Sequence, residues 1–506
     1  MVNEIALRFL GVAALALMPL AAPAAALTPA QVRGKQIYLH GTSPSGAAVT
    51  ASFGGDGNDL PGETFPCANC HGRDGRGKPE GDVTPSNIRW SELTRLYGAD
   101  QDGRKHSPYT ERTLKRAITL GLDPAGQALN PVMPRFHLAW QDLDDLVAYV
   151  KKLEDDLDPG LSPTSISIGV VLPPAESMSA VADAIRAVLD AYAANLNQQG
   201  GIFGRQLDLH YASAPFDPAA QPAALRDFLD REKPFALAAS YLIQSEEADS
   251  RLLSEQQTPL IGGFTLFPWV SPDLRSPLFY LDGGVPAEID ALVDWVSRRR
   301  GTEGNAVILG MGNPGIDEPA ANAFRGRGWK SVAIWRPGQS LDSSVVILCL
   351  GGESGAAALR AASLPSHPII LMPGSLQDPD VMTLPGADQG RVALAFSWLP
   401  GDQPEGAELY RQLGRSRRLP AAYSHSQFLA LASLLTLAEG LKRSGRELSR
   451  EKLLQSLDTL NNFRTGITPP LTFSPGSRIG SRFDTIYLAS PQTHSLIPSK
   501  EFAISR

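Results

Sequence analysis

Cys67-Ala68-Asn69-Cys70-His71 is the stretch on which the reading of this chain turns. In Cys-x-x-Cys-His spacing, two thiols can add to the two vinyl groups on one haem edge while the next imidazole reaches the iron. The pentapeptide therefore predicts one covalently attached haem c, held by Cys67 and Cys70, with His71 as an axial iron ligand. Two competing readings fit less well. A structural zinc site needs about four ligands, and the only other cysteine, Cys349, lies far downstream. A thioredoxin-like dithiol sits beside a βαβ pattern. Here the sequence continues as Gly72-Arg73-Asp74-Gly75-Arg76-Gly77, a loop whose glycines let the backbone lie against a haem edge.

Helical patterns surround the motif. Thr28 and Pro29 are suited to the N-cap and first position of a helix reaching Tyr38. Residues 111–120 read as a second helix. Leu143, Leu146, Val147, Val150 and Leu153 recur at helical spacing and predict a third over 142–153. A long loop rich in Gly, Ser, Pro and Asp fills 41–66. Before the last helix stands Asn130-Pro131-Val132-Met133-Pro134-Arg135-Phe136. Its prolines restrict the backbone around a soft thioether, so Met133 is the expected second iron ligand, with His106 and His137 as rivals.

These pieces together resemble a class I cytochrome c over residues 27–155. The resemblance implies an all-α fold wrapped round one haem, with both axial positions filled by protein. It also implies electron transfer to a periplasmic redox partner rather than substrate chemistry. The loop over 41–66 is longer than in a minimal member, and a cover over one haem edge is the role it suggests. Arg104, Lys105, Arg112, Lys115 and Arg116 form a basic cluster that suits a solvated face, haem propionates or a partner.

The N-terminus reads as an export signal. Arg8 precedes an apolar run over 9–22, and Ala24-Ala25-Ala26 offers a small-residue cleavage site, with cleavage expected after Ala26. The run is shorter than the roughly 20 residues a spanning helix needs. Export agrees with the haem motif, since c-type maturation occurs outside the cytoplasm, and places the mature protein in the periplasm. A length of 506 residues allows about three domains. The net charge of −7 argues against a general nucleic-acid binder. Cys349 falls in the apolar run Val345-Val346-Ile347-Leu348-Cys349-Leu350 and reads as an inert core thiol. Residues 156–164, with two prolines and a glycine, have the composition of a linker.

From residue 165 to 506 the pattern changes to strands alternating with helices. Strands are expected at 166–172, 207–212, 235–239 and 259–262, with helices at 180–196 and 223–231. The order resumes after about 282, with helices at 291–300 and 320–327 and strands at 306–310, 332–335, 345–350 and 369–372. This predicts parallel α/β sheets in two lobes, with ligands beyond the carboxyl ends of the strands. Between 336 and 344 there is little room for a crossover helix.

Asn197-Gln198-Gln199-Gly200-Gly201-Ile202-Phe203-Gly204-Arg205 ahead of a strand is similar to a turn of type I periplasmic binding proteins, in the leucine/isoleucine/valine-binding branch. Thr258-Pro259-Leu260-Ile261-Gly262-Gly263-Phe264-Thr265, Leu350-Gly351-Gly352, a helix over 424–442 and the segment 470–478 support it. The resemblance implies lobes that close on a small solute and, for some members, a transporter. It points to Thr265 and a serine of the preceding loop as solute contacts, with Ser240, Tyr241 and Ser245 as the loop's candidates. In the second lobe Glu353-Ser354 stands where the family commonly has an aromatic residue. Pro373-Gly374-Ser375 stands where it has an acid. Glu353, as the substitute negative charge, and Ser375 complete the candidate set.

Gly310-Met311-Gly312-Asn313-Pro314-Gly315 also matches Gly-x-Gly-x-x-Gly after a strand. The acid expected roughly 20 residues on is missing, and export makes a nicotinamide cofactor a poor fit. No nucleophile–base constellation stands out. The sequence thus predicts a periplasmic electron carrier with a fused solute receptor rather than an enzyme; the alternative is a receptor with an accessory haem.

Overall fold

The computed structural model describes residues 27–53, 59–77, 84–96, 99–101, 104–270, 276–336, 338–397, 404–416, 419–420 and 422–504. The expected export signal and the side chain of Glu353 lie outside what is described. The chain divides into two compact units, ending at Leu157 and beginning at Asp158.

The first unit carries α1 (Pro29–His40), α2 (Cys67–His71), α3 (Trp90–Leu93), α4 (Glu111–Leu120) and α5 (Trp140–Val150). Thr28 caps α1 through a capping box with Gln31, which satisfies two orphan amides reciprocally. Helices α1 and α5 cross at Gly34, where an added Cβ would run into the Asp145 carbonyl and the Tyr149 Cβ. Only glycine permits that approach. Next to it, Arg33 forks onto the buried Asp145, Nε to Oδ2 at 2.6 Å and Nη2 to Oδ1 at 2.9 Å. Ile37, Tyr38, Leu114, Ile118, Leu146, Val147 and Leu153 form the core beneath.

Short strands accompany these helices, so the all-α expectation holds only in part. Strands β1 (Thr50–Ser52), β2 (Leu60–Pro61) and β5 (Arg135–His137) make an antiparallel sheet in the order β2-β1-β5. Between them in sequence, β3 (Ala99–Gln101) and β4 (Arg104–His106) form a hairpin. The cause is the long loop over 41–66. Its backbone needs hydrogen-bond partners and finds them on β5, with Ala51 opposite Phe136 and Ser52 opposite Arg135.

In the second unit, β6 (Ser165–Leu172), β7 (Gln206–Ser213), β8 (Ala236–Ala238), β9 (Leu260–Ile261) and β10 (Leu278–Phe279) form a parallel sheet in the order β10-β9-β8-β6-β7. Helices α6 (Ala175–Gln198), α7 (Gln221–Glu232) and α8 (Glu246–Glu255) connect its strands. A second sheet follows α9 (Gly284–Arg300). It contains β11 (Asn305–Leu309), β12 (Ser331–Ile334), β13 (Ser344–Cys349), β14 (Ile369–Pro373), β15 (Val392–Phe396), β16 (Phe483–Ser490) and β17 (Ser495–Ile504), in the order β12-β11-β13-β14-β15-β16-β17. The first five are parallel; β16 and β17 form an antiparallel edge. Helices α10 (Pro314–Gly326) and α11 (Gly352–Ala361) belong to this lobe. Helices α12 (Pro404–Ser416), α13 (Ser424–Arg443) and α14 (Arg450–Asp458) return to the core of the first lobe.

Two details bear on expectations. Between β12 and β13 the described residues form a turn without a helix, closed by Trp335 Nε1 donating to Gln339 O (2.9 Å) and Arg336 N to Gln339 Oε1 (2.9 Å). Part of the expected linker is built into the second unit rather than free. Asp158 accepts from Arg450 N (2.6 Å), Ser167 N donates to Gly160 O (2.7 Å), and Leu161 is buried in the core.

Candidate functional site

Helix α2 is one short turn that sets Cys67, Cys70 and His71 in their motif spacing, and Gly72 ends it with φ 75°. Tyr38 of α1 donates from its buried hydroxyl to Gly72 O (2.6 Å), tying the end of this turn to the helical core. Neither cysteine is in a disulfide; Cys67 is half-buried and Cys70 exposed. Desolvation pushes the Cys67 thiol up to about 12, so it stays neutral until it reacts.

His71 is oriented by the following loop. Its Nδ1 lies 2.9 Å from Ser86 O. A carbonyl only accepts, so Nδ1 carries the proton and Nε2 is left as the unprotonated nitrogen. Burial lowers the His71 pKa, against the smaller opposing effect of the Ser86 carbonyl. The imidazole is therefore held neutral, the form that binds a metal. Two adjacent thiols and a neutral, oriented imidazole fit a covalent haem.

Met133 is half-buried in a turn. Asn130 closes that turn through its side chain, which accepts from Val132 N (3.0 Å), and its carbonyl, which accepts from Met133 N (3.1 Å). Arg135 donates to the Met133 carbonyl and to Leu129 O (3.3 Å). The β1–β5 pairing begins two residues later, so the long loop braces the segment that carries Met133. Both rival histidines are engaged elsewhere. The His137 ring contacts Ser52 Oγ (3.3 Å), and the His106 ring contacts Ser107 O (2.8 Å) and Tyr109. Of the basic cluster, Lys115 pairs with Asp144 and Arg116 donates to Asp123 O.

The solute candidates are mostly used by the fold itself. Ser240 is fully buried; its Oγ accepts from Val171 N (3.1 Å) and donates to Ala238 O (3.2 Å). Ser245 Oγ bonds Asp249 Oδ2 (2.7 Å). Thr265 Oγ1 accepts from Phe267 N (3.2 Å). Ser375 donates its hydroxyl to Glu288 (2.8 Å). The Tyr241 ring is half-buried, and desolvation raises its pKa. Sequence reasoning missed Glu246, Asp249 and Glu288, whose burial raises all three carboxyl pKa values. Glu246 and Asp249 sit in an ordinary polar helix start, where no sequence signal marks a carboxylate as buried.

The Gly-x-Gly-x-x-Gly loop does join a strand to a helix, β11 to α10, beside a cavity of about 290 Å3 lined by Gly310, Gly312, Trp335 and Arg336. Its amides are already taken. Met311 N donates to Asp317 Oδ1 (2.8 Å), Gly312 N to Asp317 Oδ2 (3.0 Å), and Gly315 N to Asn313 Oδ1 (2.9 Å). A carboxylate of the chain occupies the place a dinucleotide phosphate would need. Replacing Asp317 with alanine should strand two loop amides and cost about 1–3 kcal/mol, read by chemical denaturation of the second unit. An unchanged denaturation midpoint would show that the carboxylate is dispensable.

A cytochrome c family model matches residues 62–154, and a periplasmic binding protein model matches residues 165–324. The first family carries covalent haem c. Solved structures with the fold of the second unit include a substrate-binding periplasmic protein from Ralstonia solanacearum, at 19% identity and TM-score 0.51, covering 66% of this chain and 100% of that one. Another is a branched chain amino acid ABC transporter protein from Thermus thermophilus with bound valine, at 17% identity and TM-score 0.52, covering 68% and 96%. A third is an ABC transporter substrate binding protein from Aeropyrum pernix, at 15% identity and TM-score 0.53, covering 68% and 96%. No curated protein matches the chain. Among the described residues, no helix is long and apolar enough to cross a membrane.

Proposed function

We propose that this chain is a periplasmic c-type cytochrome that carries electrons through one haem c, with a fused receptor unit that binds a solute or docks a partner. The observation that carries the reading is the Cys67–His71 turn, with its imidazole oriented by Ser86. Cys67 and Cys70 would hold haem by thioether bonds, and His71 Nε2 and Met133 would take the two axial positions. Bound haem supplies reversible one-electron chemistry at its iron. The part of His71 and Met133 would be to hold the iron and keep water and substrate from it. His71 keeps its proton on Nδ1 and so needs no proton transfer as the charge changes. The His106 and His137 contacts favour Met133 as the second ligand, and the β1 brace limits its departure.

The test is an absorption and redox titration of the full-length protein made in a host with c-type maturation. Reversible reduction is expected, with the weak far-red band of a methionine–iron bond. Met133→Ala should lose that band and lower the reduction potential, because a thioether favours the reduced iron. A wild-type spectrum that is high-spin and binds carbon monoxide readily would overturn the assignment.

The second reading, a solute receptor with an accessory haem, is favoured by the two-lobed fold. An amino acid such as the valine of the Thermus relative would need hydroxyls at Ser240, Ser245 and Thr265 that the fold already uses. A melting-temperature screen over amino acids, amides and fatty acids tests this reading, and no shift with any of them counts against it.

A further inference from the structure

By the order of the described elements, the chain passes between the two lobes of the second unit three times: first between β10 and α9, at residues 280–283, then between β15 and α12, and third ahead of β16, at residues 478–482. The first and third crossings run side by side. Tyr280 N donates to Arg478 O (2.9 Å), Gly480 N to Tyr280 O (2.9 Å) and Ser481 N to Leu281 O (2.9 Å). A change in the angle between the lobes bends these two paired segments.

Two carboxylates are sealed beside them. Glu288, in the second turn of α9, is 2% exposed, and Asp484, just past the third crossing, is 1% exposed. Glu288 accepts from Ser375 N (3.1 Å) and Ser375 Oγ (2.8 Å). Asp484 Oδ1 accepts from Ser397 Oγ (3.0 Å), while Oδ2 is buried with no hydrogen-bond partner. Among the described residues no ion pair reaches either group.

The other charges near them do not compensate. Asp282 of the first crossing repels both carboxylates, and Asp290 of α9 repels Asp484. Arg327, just past the end of α10, is engaged by Asp290 (3.0 Å) and Asp294 (3.6 Å). Arg482 is exposed. The turn after β14 and the end of β15 contribute hydroxyls, Ser375 and Ser397, and the β17 residue opposite Asp484 is the uncharged Ala503.

A buried carboxylate without a cation is costly when ionised, and the group takes up a proton instead. We propose that Glu288 and Asp484 make the interlobe crossings a proton-operated hinge, tight when both carboxyls hold protons and loosened when they release them to solvent. Ionisation forces each group to seek water, which it reaches when the crossings part from α9, and repulsion from Asp282 acts in the same direction.

The pH window follows from the burial. Desolvation raises Glu288 to about 8 and Asp484 to about 7. A carboxyl raised on folding contributes stability that is complete below its unfolded pKa, near 4. That contribution is lost as pH rises through the folded value. The hinge therefore loosens between mildly acidic and mildly alkaline pH.

Hydrogen exchange of the haem-loaded full chain, at about pH 6 and about pH 9 and corrected for intrinsic rates, tests this. Peptides spanning 276–292 and 474–490 should exchange on the order of tenfold faster at the higher pH, while peptides of α1 and α5 serve as the internal reference. Asp484→Asn alone should blunt the change, and Asp484→Asn with Glu288→Gln should abolish it and raise the melting temperature at the higher pH. Equal wild-type protection at both pH values would overturn the hinge. So would a folded double variant that responds to pH as the wild type does.

Discussion

Protein carrying both Cys67→Ala and Cys70→Ala, made beside the wild type in a host with c-type maturation, is expected to show no haem after denaturing electrophoresis. Both thioether donors would be gone, and the remaining cysteine, Cys349, is buried in the second unit. Burial pushes its thiol up to about 11, so it is no substitute nucleophile. The effect should extend to folding. Helix α2 is only five residues long, far below the ~12–15 at which an isolated helix holds in water. Cys67 and Ala68 pack against the core of α1, α4 and α5. Without haem to anchor it, this turn should fray and the first unit should melt earlier. The second unit has its own cores and should melt unchanged. Either single variant should keep haem through one thioether. A haem-stained band in the double variant would show that the attachment lies elsewhere.

Gly34→Val should give the largest loss of stability from a single substitution in the first unit. The Cβ alone would overlap the Asp145 carbonyl and crowd Tyr149, and valine adds two methyl groups facing α5. Backbone cannot yield as a side-chain tip does, so α1 must lift off α5. That would separate Tyr38 from Tyr149, whose rings lie 5.5 Å apart, and pull Tyr38 from Gly72 O. A cost of about 3 kcal/mol or more is expected, a large share of the ~5–15 kcal/mol that holds a domain. Thermal unfolding followed at the Soret band would report it. Arg33→Ala is the informative contrast. Its guanidinium is partly exposed, so the direct loss is smaller, and Asp145 keeps the Gln141 amide as a side-chain donor (3.1 Å). If Gly34→Val melts with the wild type, the two helices are not in backbone contact.

The helices and strands were legible where local chemistry decides them. Thr28-Pro29 starts α1, and residues 111–120 form a helix with the bounds expected from sequence. The continuous apolar run of β6 marks a central strand buried by its neighbours. Elements with little apolar periodicity were not legible. Helix α8 opens with Glu246, Glu247 and Asp249, which reads as solvated loop, and β16 joins the sheet against β15, with Leu488 opposite Ala393 far back along the chain.

The haem motif depends on covalent spacing within five residues, so the sequence by itself carried the expectation of haem c, with Cys67 and Cys70 to hold it and His71 as an iron ligand. Alternation of strands and helices likewise determined a parallel α/β unit. Tertiary structure alone decided which polar groups are free. Ser240, Ser245 and Ser375 look like ligand contacts in one dimension, yet each is used by backbone or by a buried carboxylate. Asp317 closes a loop that in sequence resembles a phosphate cradle. The long loop over 41–66 becomes a brace only because β1 meets β5. The physical reason is the same in each case. A hydroxyl, amide or carboxylate has few hydrogen-bonding sites, and what is left for a ligand depends on which distant residue has already taken them.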